Sequence, residues 1–230
     1  MLKEYVYCRT GENHRKHRQI CQDVCTVQRK GSLVCVAVAD GCSYARFGRI
    51  GAEIACDYAI WNMIRAFPKL QKCSTGECVQ QIIIPIKEAI QEKANKLCCE
   101  VTELDCTIAV LCVEEDTGQY IYLGIGDCSA FLVEGGSTKL LSAPANGFFP
   151  GSTFTIASNV AMLSAKVFRG KCQPETGFCL MTDGFAELLA NNRIRITDLS
   201  EDYLKAIALM GKIHIRKTAD DACMVALLQK

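Results

Sequence analysis

The 26 basic and 25 acidic side chains of this 230-residue sequence all but cancel, so no long-range field draws the chain to nucleic acid or to an anionic membrane. Any preference for an anion must come from a local site. No apolar run approaches the ~20 residues of a membrane span. The segment Met1 to Thr10 mixes charged with apolar residues rather than passing from basic to apolar as an export signal does. The chain therefore reads as soluble and cytoplasmic. Histidine is scarce, at His14, His17 and His214, and no Cys-x-x-Cys pair occurs, so the usual four-ligand zinc spacings are missing. The patterns C-x5-R, G-x-x-x-x-G-K-[ST], G-x-S-x-G and H-E-x-x-H are absent as well, which leaves no trace of a cysteine phosphatase loop, a nucleotide P-loop, a serine hydrolase elbow or a zinc protease helix.

Half of the residues are apolar, enough for one domain spanning 1–230 with a sizeable core. Sixteen cysteines are present, many of them inside apolar runs (Cys35, Cys56, Cys112, Cys179, Cys223), where they read as reduced core thiols in a chain too large to need staples. Strand-type runs cover Glu4 to Tyr7, Val24 to Gln28 and Leu33 to Ala39, the last apolar almost throughout and so buried on both faces. Helical spacing follows over Ile50 to Phe67 and again from Glu77 to Cys99, where Pro85 should kink or split the helix. Further strands are expected at Thr107 to Val113, Gln119 to Ile125, Ser129 to Val133 and Lys139 to Ser142, the last pair joined at Gly135-Gly136; such short turns require antiparallel pairing. A Gly/Pro/Asn/Ser-rich stretch over 143–164 reads as a mobile flap. Strands near Ala165 to Phe168, Phe178 to Met181 and Ala222 to Leu228, with helices near Phe185 to Ala190 and Ser200 to Met210, complete the chain. Runs of strands and runs of helices, without regular alternation, predict α+β layers with antiparallel sheets.

Aspartate recurs at one kind of place. Asp40 ends VCVAVAD, Asp127 follows YLGIG, Asp183 ends FCLMTD, and Asp220 stands just before ACMVALL. Strand ends can converge on one edge of a layered sheet protein, so these carboxylates could face one cleft. Each Asp-Gly alone is a common turn dipeptide; the repetition at strand ends carries the signal. A bare carboxylate cluster raises its own pKa values, and a divalent cation relieves the repulsion. Oxygen donors without a Cys/His set favour a hard ion such as Mg²⁺ or Mn²⁺.

The segments RQICQD, VAVADGCSYARFGRIGA, LGIGDCSAFLV, LMTDGFAELL and ADDACMVALL, in this order over nearly the whole chain, resemble the metal-dependent protein phosphatases of type 2C, in particular the small bacterial members. The resemblance implies an αββα four-layer sandwich with two central antiparallel sheets between helices. It also implies hydrolysis of phosphoserine and phosphothreonine in proteins, with two Mn²⁺ or Mg²⁺ ions and a weaker third. In this chain Asp40 would bridge two metals, Gly41 would offer its carbonyl, and Asp183 and Asp220 would complete one metal. Asp23 would act near the second through water, Asp127 would help hold the third, and Arg18 would grip the substrate phosphate. The catalytic set would then be Asp40, Asp183 and Asp23, and the partners a phosphorylated protein and an opposing Ser/Thr kinase in signalling.

Three departures bear on that reading. Gln22 stands where many relatives have a metal-binding glutamate. Cys42 follows Asp40-Gly41, where no histidine is available to protonate the leaving alkoxide, leaving that task to water or to His14 or His17. Cys128 and Cys223 replace small hydroxyl residues. The alternatives are a pseudophosphatase that binds phosphoprotein or a regulatory partner, a hydrolase of small phosphoesters, and a structural module whose aspartates only form turns.

Overall fold

The computed structural model describes residues 1–134, 137–145, 147, 152–210 and 218–229. Strand β1 (Leu2–Arg9) leads into the short helix α1 (Glu12–Lys16), then into a hairpin of β2 (Val24–Lys30) and β3 (Leu33–Ala39). Two helices of 23 residues follow, α2 (Gly48–Leu70) and α3 (Thr75–Leu97). The chain next forms β4 (Ile108–Glu114), β5 (Gln119–Ile125), β6 (Ser129–Glu134) and β7 (Ser137–Ser142), then a single turn α4 (Ala161–Ser164), β8 (Lys166–Lys171) and β9 (Gly177–Met181). Helices α5 (Asp183–Asn191) and α6 (Glu201–Met210) precede the last strand, β10 (Ala222–Gln229).

The strands make two five-stranded sheets, ordered β1-β10-β9-β6-β7 and β2-β3-β4-β5-β8, antiparallel at every pairing. Strand β3 shows why its sequence is apolar without alternation. Val34, Val36 and Val38 pack between the sheets against Leu111, Phe178 and Val225, while Cys35, Ala37 and Ala39 face the helices with Ala52, Ala55 and Ile83. A third cluster packs Met181, Ala222 and Met224 against Phe185 and Leu188 of α5 and Leu204 of α6. The result is the four-layer α+β sandwich expected from the sequence.

Two expectations are corrected, and one element goes unpredicted. Helix α3 runs unbroken through Pro85. Its start is fixed by a capping box between Ser74 and Glu77, and Ile82, Ile83, Ile86 and Ile90 on both sides of the proline are buried, so apolar burial outweighs the lost hydrogen bond. Helix α1 goes unpredicted because its five residues are polar, with none buried. Cys35, Cys56, Cys112 and Cys179 are buried free thiols, whereas Cys223 forms a disulfide with Cys8, its direct partner across β1 and β10. The Gly135-Gly136 turn and residues 146 and 148–151 of the expected flap lie outside the described residues. Among the described residues no helix is long and apolar enough to cross a membrane.

Candidate metal centre

Strand direction collects the aspartates. In the second sheet β3 and β5 end where β2 and β4 begin, so Asp23, Asp40, Asp105 and Asp127 emerge at one edge. In the first sheet β9 ends where β10 begins, which places Asp183 beside Asp220 and Asp221. The two edges meet through Thr182, whose Oγ1 donates to Asp23 Oδ2 at 2.6 Å and accepts from Cys223 N at 3.0 Å. Asp183 does not end its strand. It is the first residue of α5, and Gly184 N donates to Asp183 Oδ1 at 2.6 Å.

The electrostatics of this edge are those of crowded like charges. Burial raises the Asp40 carboxyl well above the usual carboxylate range, and Asp23, Asp183 and Asp220 push it further. Asp23, 1% exposed, is raised chiefly by burial, against a hydrogen bond from Thr182. Asp183 is pushed up to about 6 by burial and by Asp127 and Asp220. Asp220 is raised by burial, against the hydrogen bond it accepts from Asp221 N at 2.9 Å and the pull of His14. Among the described residues no three carboxylates of this set bring their oxygens within 4.8 Å of one another. The donors are oxygens, and Asp127 Oδ1 is buried with no hydrogen-bond partner although Oδ2 accepts from Thr153 Oγ1 at 2.6 Å. A surplus of buried carboxylate charge with an orphaned oxygen fits a hard divalent cation.

Backbone support for Asp40 comes from Thr107. Asp40 N donates to Thr107 Oγ1 at 3.1 Å, and Thr107 N donates to Asp40 O at 2.9 Å. Next to it Asp105, 3% exposed, accepts four hydrogen bonds: from Tyr44 Oη at 2.5 Å, Thr155 Oγ1 at 2.6 Å, Ala157 N at 2.9 Å and Cys106 N at 3.0 Å. It thereby ties the Gly41–Tyr44 loop to Thr155 and Ala157, inside the stretch 143–164 expected as a flap. Thr153, reaching Asp127, is a second anchor of that segment.

Asp221, unflagged by sequence reasoning, is the other organiser. Its side chain is 1% exposed and accepts from Gly11 N at 2.7 Å and Gln22 N at 2.5 Å, and it pairs with His14 Nδ1 at 2.8 Å. It thus fastens the stretch carrying Arg18 and Asp23 to the start of β10. Two glycines permit this closeness: a Cβ on Gly11 would lie 2.3 Å from Asp220 C, and one on Gly184 only 1.8 Å from Asp221 O. The doubled Asp220-Asp221 before a strand was the available signal.

Arg18 sits exposed beyond α1 with a left-handed φ of 56° and forms no ion pair among the described residues; no contact joins it to the carboxylates. His17 Nδ1 bonds to Asn13 O at 2.8 Å. With its amide oriented to satisfy both polar atoms, Gln22 donates to Gly41 O at 2.8 Å and to Cys42 O at 3.2 Å, so it engages the carbonyl expected to face a metal. Cys42 is pushed up to about 12 by burial and by Asp105, which keeps it a thiol at neutral pH and no nucleophile.

Two antiparallel sheets between helices, with carboxylates gathered at one sheet edge, define a four-layer α+β sandwich with an acidic site. Residues 10–217 match the family described as Protein phosphatase 2C, and the chain belongs to that family. The matched region holds Arg18, Asp23, Asp40, Asp127 and Asp183 and stops short of Asp220. No curated protein sequence matches the chain. Among solved structures it is similar to a bacterial serine phosphatase, at 12% identity and TM-score 0.69, covering 100% of this chain and 98% of that one. It is similar also to the serine/threonine phosphatase Stp1 from Staphylococcus aureus, at 12% identity and TM-score 0.66, covering 100% and 96%. A third is RsbX in complex with magnesium, at 14% identity and TM-score 0.61, covering 100% of each chain. At these identities the likeness is one of fold.

Proposed function

We propose that the chain hydrolyses phosphoserine and phosphothreonine in proteins, with a divalent cation pair held at the carboxylate edge. The observation that carries this reading is the convergence of Asp23, Asp40, Asp183 and Asp220 at one edge, where burial raises each carboxyl, in a chain of the protein phosphatase 2C family. Asp40, Asp183 and Asp220 would hold one ion, Asp40 with the Gly41 carbonyl and Asp23 the other, and Asp127 a weaker third. Bound Mn²⁺ or Mg²⁺ would supply positive charge to the phosphoryl oxygens and acidify a water.

The protein's own groups do the rest. Thr107 and Thr182 fix the Asp40 backbone and the Asp23 carboxylate, and Asp221 holds the α1 segment so that Arg18 can reach a substrate phosphate at the open side. Cys42, its thiol raised by burial, does not compete as nucleophile. His14 is engaged by Asp221, so the leaving alkoxide takes its proton from water. The substrate would be a phosphorylated protein, implying an opposing Ser/Thr kinase.

Phosphate release from a phosphothreonine peptide with Mn²⁺, with Mg²⁺ and with EDTA tests the reading. Release with metal that EDTA abolishes supports it; release undiminished by EDTA contradicts it. A second reading, a pseudophosphatase, draws on Gln22, whose amide engages the Gly41 carbonyl in place of a metal-binding glutamate. Folded protein that releases no phosphate under any condition, and gains activity on Gln22→Glu, would favour that reading.

A further inference from the structure

Among the described residues only one group brings three potential ligand or redox atoms within 4.8 Å of one another: the sulfurs of Cys8, Cys21 and Cys223. Cys8 and Cys223 are disulfide-bonded across 215 residues of sequence, and their Cα atoms are 4.3 Å apart, the close spacing of a non-hydrogen-bonded antiparallel pair. Cys21 Sγ lies 3.6 Å from Cys8 Sγ and is not bonded to it. Fourteen cysteines remain thiols. One pair among them, Cys35 and Cys112, also faces across adjacent strands, but both are 0% exposed. Cys8 differs because it is exposed, with Cys223 at 0% and Cys21 at 8% behind it. An accessible sulfur backed by a resolving partner is the arrangement of a reversible thiol site.

We propose that Cys8, Cys21 and Cys223 form a thiol–disulfide site at which a small-molecule disulfide reacts at Cys8 and is resolved by Cys223. In the first step the Cys8 thiolate attacks R–S–S–R, forming Cys8–S–S–R and releasing R–S⁻. In the second the Cys223 thiolate attacks Cys8 sulfur and releases a second R–S⁻. The two cysteine protons end on the two departing thiols, and the protein loses two electrons to the small disulfide. A dithiol reverses both steps. The bond pins the strand leading into Gly11 and α1 to the strand that follows Asp220 and Asp221. Its formation therefore steadies the two chain segments that Asp221 joins.

The full chain, reduced with a dithiol, freed of it and then exposed to oxidised glutathione, is digested without reduction and mapped by mass spectrometry. The Cys8–Cys223 cross-link is expected as the dominant product, with amide exchange across 9–18 slower than in the reduced chain. In Cys223→Ser, Cys21 is near enough to resolve the adduct, so a Cys8–Cys21 link or a glutathione adduct on Cys8 is expected. Cys8→Ser, altered at the surface of an edge strand, should yield neither link. Adducts confined to other exposed cysteines such as Cys98, with Cys8 unmodified in the wild type, would overturn the proposal. Equal exchange across 9–18 in both forms would overturn the coupling to α1. Neither readout involves phosphate release, so the outcome is independent of the phosphatase reading.

Discussion

Asp40 stands where burial and three neighbouring carboxylates oppose its ionisation, so its substitution by a neutral isostere relieves the fold and removes the charge that the proposed metal site needs. Asp40→Asn and Asp183→Asn should each lower metal-dependent phosphate release by about two to three orders of magnitude, the scale of losing a charge-stabilising group. Their melting temperatures in EDTA should be unchanged or raised; wild-type turnover in either contradicts the metal assignment. Arg18→Ala should raise KM with little change in kcat, and unchanged values of both would remove its proposed role. Asp40 and Asp220 were legible as aspartates flanking strands, whereas Asp183, read as a strand end, opens α5. Asp221 was not, because its value lies in contacts with Gly11, Gln22 and His14, about two hundred residues away in sequence, which no local pattern reports. The amide of Gln22 was visible as a departure, but its engagement with Gly41 depends on how close the loops come.

The element most exposed to a single change is the loop system around Asp105. Asp105→Ala would leave Tyr44, Thr155, Cys106 N and Ala157 N without their shared acceptor, at about 1–3 kcal/mol for each group that stays buried and unpaired. A loss of roughly 3 kcal/mol by denaturant unfolding is expected; a change below about 0.5 kcal/mol would contradict the hub. Strand β3 and helix α2 were readable because their apolar pattern is local and long, and β3 matches its expected bounds of Leu33 and Ala39. Pro85 misled because propensity speaks for one turn, while the isoleucines around it speak for the whole helix. The Cys8–Cys223 pairing was illegible for another reason: it follows from the register of the first strand against the last, which the resemblance suggests only coarsely.

At the scale of the whole molecule, the edge carboxylates connect stability to pH and to cation. Each folded-state pKa of Asp40, Asp183 and Asp220 lies above its unfolded value, so the folded protein binds more protons than the unfolded chain in the intervening range. Stability without metal must then fall as pH rises from about 4 toward the raised values, with the Asp183 contribution complete above about 6. A divalent ion that binds only the folded state reverses that loss. In EDTA the melting temperature should therefore be lower at pH 7 than at pH 5, and Mn²⁺ should raise it most at pH 7. A Mn²⁺ titration at pH 7, followed by calorimetry on the wild type and on Asp40→Asn, tests the central claim most directly. The account predicts saturable binding in the wild type, weakened at least about tenfold in the variant, the equivalent of 1.4 kcal/mol; equal binding in both, or none in either, would contradict a metal centre built on Asp40.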